Sequence, residues 1–108
     1  MNYKVKTIPS FNKQAKKLAK KYKSLKDDLA ILIDELQTNP CKGTPIGNNC
    51  FKIRMAISSK NKGKSGGARL VSHVVVKDEI VFLISLYDKS DIASVHEAKI
   101  NELINQIV

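Results

Sequence analysis

The amino-acid sequence predicts a small α+β domain in which a mainly antiparallel sheet carries an N-terminal helical hairpin and a C-terminal helix. Two stretches near the N-terminus place apolar residues at helical spacing, and a third such stretch ends the chain. Between them, three segments alternate or run apolar as strands do. With a short first strand, the predicted order is strand, helix, helix, strand, strand, strand, helix, in one domain spanning residues 1–108.

The N-terminal part of the chain is predicted to hold the first strand and the helical hairpin. Residues 3–8 alternate as a strand, and Pro9 ends it. Ser10 is the predicted N-cap of the first helix, whose apolar positions are Phe11, Ala15, Leu18 and Tyr22. Ser24 is the predicted N-cap of the second helix, which Pro40 stops and whose stripe is Leu25, Leu29, Leu32, Ile33 and Leu36.

The remaining strands follow a turn-rich connector at residues 41–49. Residues 50–57 alternate, with apolar side chains on one face and Lys52, Arg54 and Ala56 on the other. Residues 68–76 and 80–87 are apolar runs separated by three polar residues, which predicts a hairpin. A capping box beginning at Ser94 predicts the last helix.

The charge of the chain is strongly basic and unevenly distributed. The formal net charge is +9. Residues 1–26 contain nine lysines and no acid, and residues 42–69 contain five lysines and two arginines, again with no acid. Beyond residue 69 the acids outnumber the cations. A directed positive field favours an acidic partner, although charge alone leaves RNA, DNA, lipid and acidic protein open.

Several classes of protein are disfavoured by the composition. No apolar run approaches the ~20 residues that cross a bilayer, and the N-terminus lacks the apolar region of a secretory signal. Cys41 and Cys50 do not make a disulfide framework, and two scattered histidines do not complete a zinc site with them. We therefore expect a cytoplasmic protein with reduced thiols and with no membrane partner. No carboxylate pair has the spacing of a two-metal nuclease.

A basic loop at residues 61–70, Asn-Lys-Gly-Lys-Ser-Gly-Gly-Ala-Arg-Leu, leads into the strand that carries Arg69. Its glycines allow a close backbone approach, and its cations suit a polyanion. The loop is not a nucleotide P-loop, because it lacks the Gly-x-x-x-x-Gly-Lys-Ser/Thr order and enters a strand. Together with Phe-Leu-Ile-Ser-Leu-Tyr-Asp-Lys-Ser-Asp at residues 82–91, Lys-Gly-Lys-Ser-Gly-Gly-Ala-Arg at residues 62–69 resembles the RelE/HigB-like toxins of bacterial type II toxin–antitoxin systems. Within the RelE/ParE superfamily the motifs are most similar to those of the HigB-like branch.

This resemblance implies a RelE-like fold of order βααβββα and a ribosome-dependent endoribonuclease. Such a toxin cuts mRNA in the ribosomal A site, uses no metal or other cofactor, and inhibits translation. Cleavage proceeds by attack of the RNA 2′-hydroxyl on the adjacent phosphate. A cognate antitoxin, expected here to be a helix-turn-helix protein encoded next to the toxin, keeps it silent. An acidic segment of that partner would complement the basic groove.

The resemblance also assigns roles to residues of this chain. Arg69 occupies the family's strand arginine and is expected to stabilise charge on the phosphate, because a guanidinium binds phosphate bidentately and keeps its charge. The predicted catalytic residues are Lys64, Arg69, Tyr87 and Lys89. The predicted RNA-binding residues are Lys52, Arg54, Lys62 and His73. Which residue is the general base and which the acid stays open at this point.

Each assignment has a structural alternative. Lysines such as Lys52, Lys60 and Lys62 are more often solvated surface charges than functional ones. Tyr87 at a strand end commonly serves packing, and packing alone would account for His73, where relatives tend to carry an aromatic. For the whole protein, the alternatives are a ParE-like toxin that poisons DNA gyrase and an RNA-binding module without catalysis.

Overall fold

The computed structural model describes residues 2–60, 66–90 and 97–107. In these ranges the chain forms the predicted α+β fold with three helices, and its mixed sheet has five strands where the sequence predicts four. A 3-10 turn covers Ser58–Lys60. The other elements are β1 (Lys4–Thr7), α1 (Pro9–Lys21), α2 (Leu25–Thr38), β2 (Thr44–Gly47), β3 (Cys50–Met55), β4 (Ala68–Val75), β5 (Ile80–Asp88) and α3 (Glu97–Ile104).

The sheet has the strand order β1-β5-β4-β3-β2. β1 lies parallel to β5, and the other pairs are antiparallel. The helical hairpin between β1 and β2 lets β1 lie beside β5. With β1 at one edge and β2 at the other, β4 is the central strand. None of the described helices is long and apolar enough to cross a bilayer.

One strand, β2, lies where the sequence predicts only a turn-rich connector. It pairs with β3 from Thr44, opposite Lys52, to Gly47, opposite Cys50, with an irregularity after Pro45. Because β2 is four residues long and lies at the edge of the sheet, it tolerates a proline that a central strand would not. Such a segment has no alternation of apolar residues from which a strand is recognised.

The first helix begins two residues earlier than a cap at Ser10 would allow. Pro9 is its first residue and Ile8 its N-cap, without any side-chain capping bond. Proline suits this position because its φ is already helical and its missing N–H would have no partner there. The prediction of Ser10 as the cap was therefore wrong: its hydroxyl donates to Gln106 Oε1 at 2.8 Å and joins α1 to the end of the chain.

The other two predicted helix starts have different outcomes. Ser24 is the N-cap of α2, as predicted, but its side chain makes no capping bond. Its hydroxyl donates to Asp28 Oδ2 at 2.8 Å instead. The capping box predicted at Ser94 lies outside the described residues, which resume at the first residue of α3.

The core lies between the sheet and the helices. Leu70 and Val74, which lie on the same face of β4, are almost fully buried, as are Val81 and Leu83 of β5. α1 and α2 contribute the buried side chains Phe11, Leu18, Leu25, Leu32 and Leu36. Burial of each such side chain stabilises the fold by about 1.5–3 kcal/mol, so the core determines which face of each strand points towards the helices.

Gly67 allows the backbone before β4 to approach the end of β3. A Cβ atom at this position would collide with the carbonyl oxygen of Met55 and lie 3.0 Å from Ala56 Cα. The Gly67 carbonyl oxygen also accepts a hydrogen bond from the Lys89 N–H at 3.0 Å. One glycine of the basic loop motif is thus required by packing against backbone, independently of any ligand.

We expect Gly67→Ala to lower the free energy of unfolding by about 2–3 kcal/mol, because backbone atoms cannot move aside as a flexible side chain can. Gly47→Ala is the matched control. Gly47 has a φ of +93°, and in the described part of the chain no atom beyond its two sequence neighbours lies within 4 Å of the place that a Cβ would occupy. Only conformational strain of about 1 kcal/mol is therefore expected there. Urea denaturation of both variants measures the difference, and equal losses would contradict the steric explanation.

Candidate active site

Three side chains form a row across the central strands on one face of the sheet. Arg54 of β3 pairs with Arg69 of β4, which pairs in turn with Tyr87 of β5. Directly opposite residues in antiparallel strands have Cβ atoms about 5 Å apart and point to the same face. Register alone therefore brings two cations and a phenol together in a line perpendicular to the strands.

Arg69 lies at the centre of this row and is held rigidly. It is 6% exposed, and its Nη1 donates to the carbonyl oxygen of Ala68 at 3.1 Å. A buried guanidinium needs such hydrogen bonds, because burial of an uncompensated charge is costly. Burial and this hydrogen bond restrict the side chain and so limit where its positive charge can lie.

Tyr87 is a buried phenol beside that charge. Burial raises its pKa, and the neighbouring charge of Arg69 opposes the rise only in part. The hydroxyl therefore stays protonated at neutral pH. It has no hydrogen-bond partner among the described residues, although the side chain is only 4% exposed. A buried hydroxyl in this state costs stability, and its capacity to donate a hydrogen bond is unused.

The structure places the other predicted residues at varying distances from the row. Lys52, half-buried, lies two residue pairs further along, opposite Val71, on the same face as Arg54. Lys89 follows directly after β5 and is half-buried, with its backbone bonded to Gly67. The predicted residues Lys62 and Lys64 lie outside the described residues.

His73 lies four residues along β4 from Arg69, roughly 13 Å away, and makes its contacts elsewhere. It pairs with Cys50 across the sheet, and its Nδ1 lies 3.4 Å from the Cys50 Sγ. Burial lowers the pKa of His73, while a hydrogen bond to the Asn48 backbone opposes that shift. Burial also raises the pKa of Cys50 to about 11, so its thiol stays neutral. This pair is separate from the row and has the features of satisfied packing.

Asp88, adjacent to Tyr87, is a buried carboxylate that joins three parts of the chain. Its Oδ2 accepts the Tyr22 hydroxyl at 2.6 Å, and its Oδ1 accepts Lys60 Nζ at 2.6 Å and the Ser90 hydroxyl at 2.8 Å. Lys21 lies 3.6 Å from Oδ2. Burial opposes ionisation of Asp88, but the hydrogen bonds from Lys60, Tyr22 and Ser90 outweigh it, so its pKa is well below the ordinary value.

The sequence does not predict this network, and it favours a solvated surface position for Lys60. The Lys60 side chain is in fact only 11% exposed, and its ammonium lies 5.4 Å from the centre of the Tyr22 ring. The 3-10 turn that contains Lys60 is held at its other end by Asp28, which accepts the Ser58 N–H at 2.8 Å. The only sequence signal for the network is the acid at position 88, between Tyr87 and Lys89.

The row has the chemistry of an anion site. It supplies fixed positive charge and a protonated phenol, which suit a ligand with oxygen acceptors, above all a phosphate. Within the described ranges, no group of three or more His, Cys, Asp or Glu side chains is arranged to hold a metal ion.

Neither a protein-family model nor a curated protein sequence matches the chain. Solved structures do match. A free-state mutant of the E. coli toxin RelE, with two arginines replaced by alanine, has a TM-score of 0.67 and 22% identity over 100% of both chains. The isolated E. coli RelE toxin in a P21 crystal form has a TM-score of 0.61 and 22% identity over 98% of this chain and 99% of that chain. The chain has a RelE-like fold.

This RelE-like fold confirms the architecture that the sequence motifs imply. The likeness covers the helical hairpin, the sheet and the C-terminal helix together, since the whole chain is matched. At 22% identity it establishes the fold alone. Membership of the HigB-like branch and the roles of individual residues stay predictions.

We expect Asp88→Asn to lower the free energy of unfolding at pH 7 by about 2–3 kcal/mol, because Lys60 then lacks its buried counter-charge. The depressed pKa means that the contribution of Asp88 is fully present above its ordinary pKa of about 4. It is lost as the pH falls towards the folded-state pKa, so the difference between wild type and variant should shrink below pH 4. Denaturation of the wild type and of the variant at pH 7 and pH 3 measures the difference in their free energies of unfolding.

Glu102→Gln is the control for the loss of a carboxylate charge, since Glu102 pairs with Lys99 on the surface with both side chains more than half exposed. The Glu102→Gln substitution should lower the free energy of unfolding by less than about 0.5 kcal/mol at either pH. The described network would be contradicted if Asp88→Asn lowered the free energy of unfolding as little as Glu102→Gln does, or by an amount independent of pH.

Proposed function

We propose that this protein is the toxin of a toxin–antitoxin module and acts as an endoribonuclease on mRNA in the ribosomal A site. The observation that carries the proposal is the row of Arg54, Arg69 and Tyr87 on one face of a RelE-like sheet. In the sequence, the loop motif that contains Lys62 and Lys64 ends at Arg69. A protein of this charge attracts RNA in a salt-dependent manner.

Cleavage by 2′-hydroxyl attack requires three functions. The charge that develops on the phosphate oxygens must be stabilised, and we assign this to Arg69, whose fixed guanidinium is preorganised for it. A base must accept the 2′-proton, and Lys64 is the candidate. An acid must protonate the leaving 5′-oxygen, for which Tyr87 and Lys89 are the candidates. The proposed mechanism uses no metal or other cofactor.

The protonated state of Tyr87 favours it as a proton or hydrogen-bond donor. Its pKa is raised by burial, so the proton is present at neutral pH, and its hydroxyl has no other partner in the described part of the chain. Lys52 and Arg54, on the same face, would bind the RNA backbone on the other side of Arg69. His73, which contacts Cys50, is the least favoured of the predicted RNA-binding residues.

The proposed partners are the ribosome with its mRNA and a cognate antitoxin, and the proposed location is the cytoplasm. The antitoxin, expected to be a helix-turn-helix protein encoded adjacently, would supply acidic side chains to a surface of net charge +9. Co-expression of the neighbouring gene should restore growth, and its product should copurify with this chain. Absence of both effects would exclude that partner.

Induction of the wild-type chain in bacteria should arrest translation and create new mRNA 5′ ends in register with the reading frame. Arg69→Lys should lower the yield of these ends by about 10²-fold or more, because an ammonium cannot replace the bidentate donor at the centre of the row. Mapping of 5′ ends across the transcriptome measures this. Growth and mRNA that stay intact under wild-type expression would refute the proposal.

We expect Tyr87→Phe to separate activity from stability. Loss of a buried hydroxyl without a described partner should leave the free energy of unfolding unchanged or raise it by up to about 1 kcal/mol. RNA cleavage should fall by about 10²-fold if the phenol donates to the phosphate or the leaving group. Thermal unfolding and cleavage on programmed ribosomes measure the two effects, and full activity of the variant would remove Tyr87 from the mechanism.

Two other functions are compatible with a RelE-like fold. A ParE-like toxin would inhibit purified DNA gyrase in a supercoiling assay, whereas the proposed ribonuclease should not. The basic loop motif and the Tyr87–Lys89 strand end argue against that branch. An RNA-binding module without catalysis would bind translating ribosomes and leave the mRNA whole.

A further inference from the structure

The end of β5 forms one wall of a cleft that the proposed mechanism does not use. β1 pairs with β5 only as far as Thr7, opposite Leu83. Beyond Leu83, within the described ranges, α1 lies along the outer edge of β5 where a strand would otherwise pair. The cleft between them has a volume of about 460 Å³, which is within the range of about 300–1,000 Å³ found for ligand sites. Its walls include Gln14, Lys17, Leu18, Lys21, Leu86 and Tyr87.

The polar groups of this cleft are mainly hydrogen-bond donors. Gln14 Oε1 accepts the Leu86 N–H at 3.0 Å, which fixes the amide and leaves its NH₂ group to donate to a ligand. Tyr87 also lines the cleft, although its hydroxyl oxygen is itself buried and has no hydrogen-bond partner among the described residues. Lys17 is exposed at the rim and adds a positive charge. A ligand that fits these groups is rich in acceptors and carries negative charge.

One acid, Asp88, also lines the cleft, but its charge is compensated. Lys60 and Tyr22 both bond to it at 2.6 Å, and Lys21 lies 3.6 Å away. The carboxylate is therefore not a barrier to an anion at the rim. Leu18 and Leu86 supply the apolar part of the lining, against which a flat ring can pack.

We propose that this cleft is a nucleotide subsite, in which the Gln14 amide binds the base and Lys17 binds the phosphate. The inference rests on the proposed function, because Tyr87 belongs both to the cleft and to the row that ends at Arg54. RNA that crosses the row would continue over the edge of β5 onto α1. The nucleotide in the cleft is then the neighbour of the scissile phosphate, and Gln14 contributes to the choice of base.

The test is a titration of the purified full chain with each of the four nucleoside 5′-monophosphates, followed by the backbone amide NMR signals of Leu86 and Tyr87. We expect the chemical shifts of these two amide signals to change and to reach a plateau as the nucleotide concentration rises. Lys17→Ala should weaken binding about threefold to fivefold. Gln14→Glu keeps an oxygen acceptor for the Leu86 N–H but removes the amide donors, and should weaken binding about tenfold.

Lys16→Ala is the matched control, because it removes the same charge from α1 at an exposed position that does not line the cleft. It should leave binding unchanged. Inorganic phosphate alone is the second control, and equal shifts from phosphate would overturn the base-binding part of the proposal. No shift at Leu86, or equal losses in Lys16→Ala and Lys17→Ala, would overturn the subsite.

The two proposals can fail separately. If the chain cleaves mRNA in cells but the Leu86 amide signal does not change its chemical shift on addition of nucleotide, the subsite is refuted and the ribonuclease proposal stands. If nucleotides change the chemical shifts in a manner that depends on Gln14 and Lys17, but the chain cleaves no mRNA, the subsite is supported and the ribonuclease proposal is refuted.

Discussion

The antiparallel pairing of β4 with both of its neighbours determines where the candidate functional side chains lie. Leu70 pairs with Ile53 on one side and with Leu86 on the other, and all three are almost fully buried. A slip of one residue would turn this apolar row away from the helices and bring charge in its place. The free energy of core burial therefore also determines that Arg69 lies between its two partners on the opposite face.

A second set of contacts holds the ends of the strands around that face. Asp88 joins the end of β5 to Tyr22 after α1 and to Lys60 of the 3-10 turn, and the Lys89 N–H bonds to the Gly67 carbonyl oxygen. These contacts position the segments on both sides of the row. Preorganisation of this kind is what electrostatic catalysis requires, since groups that are already fixed need not reorganise when charge develops.

Local patterns were sufficient to predict most of the fold. Alternation and helical spacing predicted α1, α2 and the hairpin of β4 and β5, because those segments bury one regular face. They failed at β2, where Pro45 and Gly47 in a short edge strand leave no pattern to recognise. Ser10 failed as a cap because Pro9 could begin the helix without one.

The candidate site was predictable only in part. Strand alternation predicted a basic face around Arg54, and the resemblance of the loop motif predicted a phosphate-binding role for Arg69. The role of Lys60 was not predictable, because its partner Asp88 is 28 residues away in the sequence and the ion pair forms only through the tertiary fold. The same holds for the hydroxyl of Tyr87, which has no partner among the described residues and whose surroundings depend on packing from several elements.

If the row at Arg69 cleaves RNA, the attacking group is the 2′-hydroxyl of the nucleotide before the cut. A decisive measurement uses purified protein and ribosomes programmed with a synthetic mRNA that carries a single 2′-deoxy substitution at that nucleotide. We expect the all-ribose message to be cut to a product ending in a 2′,3′-cyclic phosphate and the substituted message to stay whole. Cleavage of the substituted message at the same position would contradict the proposed chemistry.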